Sequence, residues 1–89
     1  MPIKIEFSLH SLLKIDILNS DGFDVSKEMV EDIIRFPDKV EEGYKGRLVA
    51  QKGIDDMHVI SVVYNAKPDE LRVVAVYPGR RSRYEKDSV

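Results

Sequence analysis

One of the chain's two histidines, His10, stands four residues before Lys14. At that spacing the two side chains lie on one side of a helix, one turn apart. Histidine exchanges a proton near neutral pH, so His10 is a candidate general acid or base. Lys14 can bind a phosphate. Arg47 and the pair Arg80–Arg81 carry planar guanidinium forks, which grip a phosphate with two hydrogen bonds and stabilise charge on its oxygens. Tyr77 just before that pair and Tyr84 just after it offer flat faces for stacking on a base. Each residue also has a plain alternative. A histidine near a helix start often makes only a local hydrogen bond. A lysine can simply be solvated, an aromatic can pack on a sheet, and basic residues near a chain end can serve solubility.

The elements that must position these groups follow from periodicity and punctuation. Ser8 is a plausible N-cap for a helix over Leu9–Leu18, and Asn19-Ser20-Asp21-Gly22 stops it. This helix is apolar around much of its circumference. Two stripes are available to face a sheet, Ser11/Ile15/Leu18 and Leu9/Leu13/Ile17. Ser26 caps a second helix with Glu28 in its first turn and Arg35 in its last, where the helix dipole favours each charge. Met29, Val30, Ile33 and Ile34 form its apolar stripe, and Phe36-Pro37 ends it. After Pro37 the period shortens toward two. Val40–Tyr44 reads as a short edge strand and Arg47–Ile54 as a weakly alternating one. His58–Tyr64 and Leu71–Tyr77 are rich in β-formers and apolar on both faces, as central strands are. Ile3–Phe7 reads as a short edge strand or an extended lead-in. Short loops favour antiparallel neighbours. The expected fold is therefore α+β: two N-terminal helices on a four-stranded antiparallel sheet, in one domain over residues 1–89, with 85–89 frayed at the end.

Composition excludes several functions. There is no cysteine, hence no disulfide frame, thiol nucleophile or thiolate metal site. The apolar N-terminal stretch is interrupted by Lys4 and Glu6, unlike a signal peptide, and no stretch approaches the ~20 apolar residues of a membrane helix. A cytoplasmic protein with no membrane contact is expected. His58 stands near Asp55 and Asp56, but one histidine and two carboxylates so close in the chain fall short of a metal site. No phosphate-binding glycine loop, nucleophile elbow or dinucleotide fingerprint is present. No metal and no cofactor are expected. Net charge is only −2, yet it is unevenly spread. Asp16–Glu42 holds nine acidic residues against Lys27, Arg35 and Lys39, whereas Gly43–Ile54 and Gly79–Lys86 are basic. A local basic face can recruit phosphate at that net charge.

Four segments in order carry a resemblance: His10-Ser11 with Lys14-Ile15, Val30 to Pro37-Asp38, Tyr44-Lys45-Gly46-Arg47-Leu48, and Val76-Tyr77-Pro78-Gly79-Arg80-Arg81. Over roughly His10–Tyr84 the chain resembles the domain-of-unknown-function 4258 family, held to be a branch of the barnase-like and RelE-like ribonuclease superfamily that includes many toxins of toxin–antitoxin pairs. The family pattern places a histidine, an alanine and then a basic residue where His10, Ser11 and Lys14 stand. Serine for alanine is a mild departure. A second arginine and a Gly-Ile-Ser run usually follow, where this chain has Leu18 and a longer Asn19–Asp24 linker. The resemblance implies a metal-independent endoribonuclease, or a relative that keeps only an RNA-binding or protein-interaction surface. In that reading His10 and Arg81 are catalytic, and Lys14, Arg47, Tyr77, Arg80 and Tyr84 bind substrate. His10 would converge with Arg47, Arg80 and Arg81 on one groove. Arg47 and Lys52 have opposite parity on one strand, so only one joins a given face. RNA and an antitoxin are the implied partners. The six apolar residues Leu9, Leu12, Leu13, Ile15, Ile17 and Leu18 exceed what one sheet face covers, which favours a homodimer or the antitoxin on the first helix.

Overall fold

The computed structural model of the chain describes residues 4–80, and Arg81 and Tyr84 fall outside the described residues. The element order is β1 (Lys4–Phe7), α1 (Leu9–Ser20), α2 (Lys27–Arg35), β2 (Lys39–Glu42), β3 (Leu48–Gly53), β4 (His58–Lys67) and β5 (Glu70–Arg80), with a 3₁₀ turn at Tyr44–Gly46.

Both helices start where a serine satisfies their free N–H groups. The Ser8 Oγ accepts from the Ser11 N–H, and the Ser26 Oγ accepts from the Met29 N–H, each at 3.1 Å. Of the two stripes on α1, Ser11/Ile15/Leu18 is the buried one. On α2, Val30, Ile33 and Ile34 are buried. These side chains form one core cluster with Ala50, Ile60, Val62, Tyr64, Val73 and Val76 of the sheet. Ser11 is fully buried, and its hydroxyl donates to the Ser8 carbonyl at 2.7 Å. Serine therefore fits a site that asks for a small residue, because its polar group is satisfied within its own turn.

The α+β class holds, but the sheet has five strands rather than four and is mixed rather than antiparallel. Its order is β1-β5-β4-β3-β2. β1 joins as an edge strand, parallel to β5, with Ile5 opposite Leu71 and Phe7 opposite Val73. All other neighbours are antiparallel. The short-loop argument governs only strands adjacent in sequence, whereas β1 and β5 are the first and last strands. What joins them is the entry to α1. The Ser8 N–H donates to the Val73 carbonyl at 3.0 Å, and the Ser8 hydroxyl donates to the Val74 carbonyl at 3.3 Å. Val74 is the extra residue of a bulge, since Tyr64 pairs with Val73 and Val63 with Ala75.

β5 also runs through Pro78 and Gly79, where the sequence placed its end. β1 pairs with β5 only as far as Val73, so among the described residues no strand pairs with that edge of β5 at Pro78, and proline is tolerated on such an edge. The segment Val40–Tyr44 divides into β2 and the 3₁₀ turn. Lys45 and Gly46 both have positive φ there, which tightens the link into β3.

Candidate active site

At the far end of the β4–β5 pair, His58 and Arg80 are direct cross-strand partners. Cβ atoms of such partners lie roughly 4.5–5.5 Å apart on one face of a sheet. Parity puts both on the side of Ile60, Val62 and Val76, the side the helices cover. They line an open pocket of about 230 Å³ with Phe23, Pro78 and Gly79.

His58 is held by the turn that precedes it. The Asp55 Oδ1 accepts the N–H groups of Met57 and His58, each at 2.8 Å. The same carboxylate faces the His58 ring, with Nδ1 at 3.0 Å from Oδ1 and 3.2 Å from Oδ2. One aspartate thus closes the turn and sets the ring. The Met57 N–H, with His58 adding its ring and its own N–H, holds the Asp55 carboxyl below the usual carboxylate range. A ring nitrogen against a carboxylate carries its proton, which leaves Nε2 with the lone pair when the imidazole is neutral. Phe23 meets the ring edge-on, with centroids 5.3 Å apart and planes at 87°. Asp55 and Phe23 thus both hold the imidazole.

Phe23 arrives from the linker between the helices. Its N–H donates to the Leu18 carbonyl at 2.9 Å, next to Gly22 at φ +97°. Asn19 anchors the rest. Its amide nitrogen donates to the carbonyls of Ile15 (3.0 Å) and Val25 (2.8 Å), and its oxygen accepts the Val25 N–H at 2.9 Å. α1 therefore starts beside Val73 and delivers the linker to the His58–Arg80 end of the sheet.

The residues singled out in the sequence divide between the two ends. His10, exposed in the first turn of α1, and half-buried Lys14 lie at the Val73 end or along the helix. Arg47 directly precedes Leu48, which pairs with Tyr64 and through it aligns with Val73. Arg80 lies seven residues further along β5, roughly 20 Å away at ~3.3 Å per residue. His10, Arg47 and Arg80 do not meet in one groove. Tyr77 is exposed on the opposite face of the sheet, directly across from Ser61, which accepts a hydrogen bond from Gln51 at 3.0 Å. Lys52 shares the face of Ala50, and Arg47 has the other parity. The expected roles of Arg81 and Tyr84 lie outside the described residues.

In the sequence His58 stands beside Asp55 and Asp56, a grouping that points to metal ligation and not to a phosphate site. Among the described residues no group of three His, Asp or Glu comes together to hold a metal ion. The signal that was available is the Asp-x-x-His spacing in a hairpin turn, which suits an aspartate that caps the turn and turns back onto the ring. The pairing with Arg80 depends on strand register, which is a tertiary property.

A positioned imidazole with a free nitrogen and a guanidinium on the same wall can take a proton from a hydroxyl beside a phosphate and stabilise the charge that follows.

No family model matches the chain, and no curated protein matches it. Among solved structures it is similar to a copper-bound mutant toxin from Helicobacter pylori, at 23% identity with a TM-score of 0.59, over 92% of this chain and 98% of that one. At that identity the likeness establishes a shared fold. Among the described residues no helix is long and apolar enough to cross a membrane.

Proposed function

We propose that this chain is a metal-independent endoribonuclease of the toxin type, with His58 as its proton-transfer residue and Arg80 as its phosphate-binding cation. The observation that carries the reading is His58, oriented by Asp55, in cross-strand register with Arg80 on one pocket. The fold shared with a bacterial toxin supports it. In the reaction, His58 Nε2 takes the proton of a ribose 2′-hydroxyl. The 2′-oxygen bonds to phosphorus, and the bond from phosphorus to the 5′-oxygen breaks. The His58 imidazolium returns its proton to the leaving 5′-oxygen. Arg80 holds the non-bridging oxygens as charge builds on them. The products are a 2′,3′-cyclic phosphate and a 5′-hydroxyl. The competing centre at His10, with Lys14 and Arg47 at the other end of the sheet, is separable by mutation.

Cleavage of a single-stranded RNA in the presence of EDTA tests this. The parent cuts, His58→Ala and Arg80→Ala each lose roughly 10²-fold or more, and His10→Ala stays near the parent. Loss confined to His10→Ala would move the centre to α1.

One observation favours a second reading, an interaction module that binds RNA or a protein without cutting. Leu9, Leu13 and Ile17 form an exposed apolar stripe along α1, at 74%, 52% and 53% exposure. Such a stripe suits a partner, in this reading a second copy of the chain or an antitoxin. RNA binding without cleavage, together with a mass above that of one chain in light scattering, would favour it.

A further inference from the structure

We infer that the His58–Arg80 pocket seats one unpaired nucleobase against Phe23, so that the site accepts RNA only as a single strand. This rests on the proposed phosphate chemistry of His58 and Arg80 and adds the part of the substrate that the pocket would hold beside the phosphate.

A site for phosphate alone needs cations and N–H donors. This pocket has three apolar or backbone walls, Phe23, Pro78 and Gly79, and its two charged or titratable groups lie along one side. Its volume of about 230 Å³ is below the ~300–1,000 Å³ of clefts that take drug-sized ligands. One planar ring system fits against such walls, and it reaches Phe23 most readily when it is unpaired. An aromatic wall beside a cation is the combination that holds a nucleotide, because every base has a π-face and every nucleotide a phosphate.

Phe23 is also held in place through the backbone of its linker. Its backbone is bonded to Leu18, and the Asn19 side chain clamps Val25 through both its N–H and its carbonyl. The ring packs T-shaped with His58 and lines the pocket beside Pro78, Gly79 and Arg80. A base stacked there places its own ribose next to His58. Asn19 acts as a positioning residue, through the linker it holds.

The test is a titration of the full chain with inorganic phosphate, ribose 5-phosphate and uridine 3′-monophosphate, followed by the NMR signals of the His58 ring. The parent should bind the nucleotide roughly tenfold or more tightly than ribose 5-phosphate. Phe23→Leu should abolish that preference, with the variant's fold checked by circular dichroism. Phe23→Tyr should keep the preference, and Asn19→Ala should reduce it. A single-stranded RNA should bind better than its duplex. Equal binding of the nucleotide and ribose 5-phosphate by the parent, or a preference that survives Phe23→Leu, overturns the inference and leaves the phosphate site standing. Failure of all three probes to shift His58 overturns the phosphate site as well.

Discussion

Asp55 does two jobs with one carboxylate, and they can be separated by charge. Its pKa is depressed in the folded chain, so its contribution to stability is present above the ordinary carboxylate range and is lost as pH falls through the lowered value. Asparagine at this position keeps an oxygen for the Met57 and His58 N–H groups but presents an amide N–H or a neutral oxygen to the imidazole. Asp55→Asn should therefore flatten the fall of melting temperature toward low pH, measured by circular dichroism between neutral and acid buffers. The same variant should lower RNA cleavage by tenfold or more at neutral pH, since the ring loses the carboxylate that sets its tautomer. A variant as active as the parent would show that Asp55 only closes the turn. The residues of the candidate site were partly legible beforehand. Arg80 was marked by its type and its place after a strand. His58 is not legible in this role, because the residue that faces it across the sheet, Arg80, is not written in its own segment.

At the scale of elements, the linker between the helices matters most, since it carries Phe23 to the pocket. Asn19→Ala removes three hydrogen bonds and leaves the Val25 N–H and carbonyl without that partner. It should destabilise the fold by about 1–3 kcal/mol, read from urea unfolding. A change below a few tenths of a kcal/mol would mean that water replaces the clamp without cost. Asn19-Ser20-Asp21-Gly22 was readable as a helix stop, but the reach of the Asn19 side chain to Val25 was not. Both helices were legible because each has a serine cap and a stripe of apolar residues at helical spacing. β1 was only half-legible. Four residues give too short a pattern to choose between a strand and a lead-in, and its parallel place beside β5 is decided by Ser8 bonding to Val73 and Val74.

The whole molecule rests on one layer of core between two helices and one face of the sheet. Ile33 is 1% exposed and sits in that layer. Ile33→Ala should cost about 2–5 kcal/mol, a large part of the stability of a domain this small, and should show as a lowered urea midpoint. A change under 1 kcal/mol would contradict a core centred there. The sheet's length also governs the site. It separates His10 and Arg47 from Arg80, so the basic segments that looked like one surface in the sequence occupy two ends. Charge counted along the chain reports neither distance nor face.

The chain's two histidines make the central claim directly measurable, since each gives its own ring signals. A short single-stranded RNA with 2′-O-methyl groups cannot supply the attacking hydroxyl and so binds without being cut. Long-range ¹H–¹⁵N NMR of the imidazoles during its titration reports which ring meets the RNA and which nitrogen carries the proton. The account predicts a proton on His58 Nδ1, facing Asp55, with Nε2 shifting saturably as RNA is added and His10 changing little. Saturable shifts at His10 with His58 unmoved would contradict it.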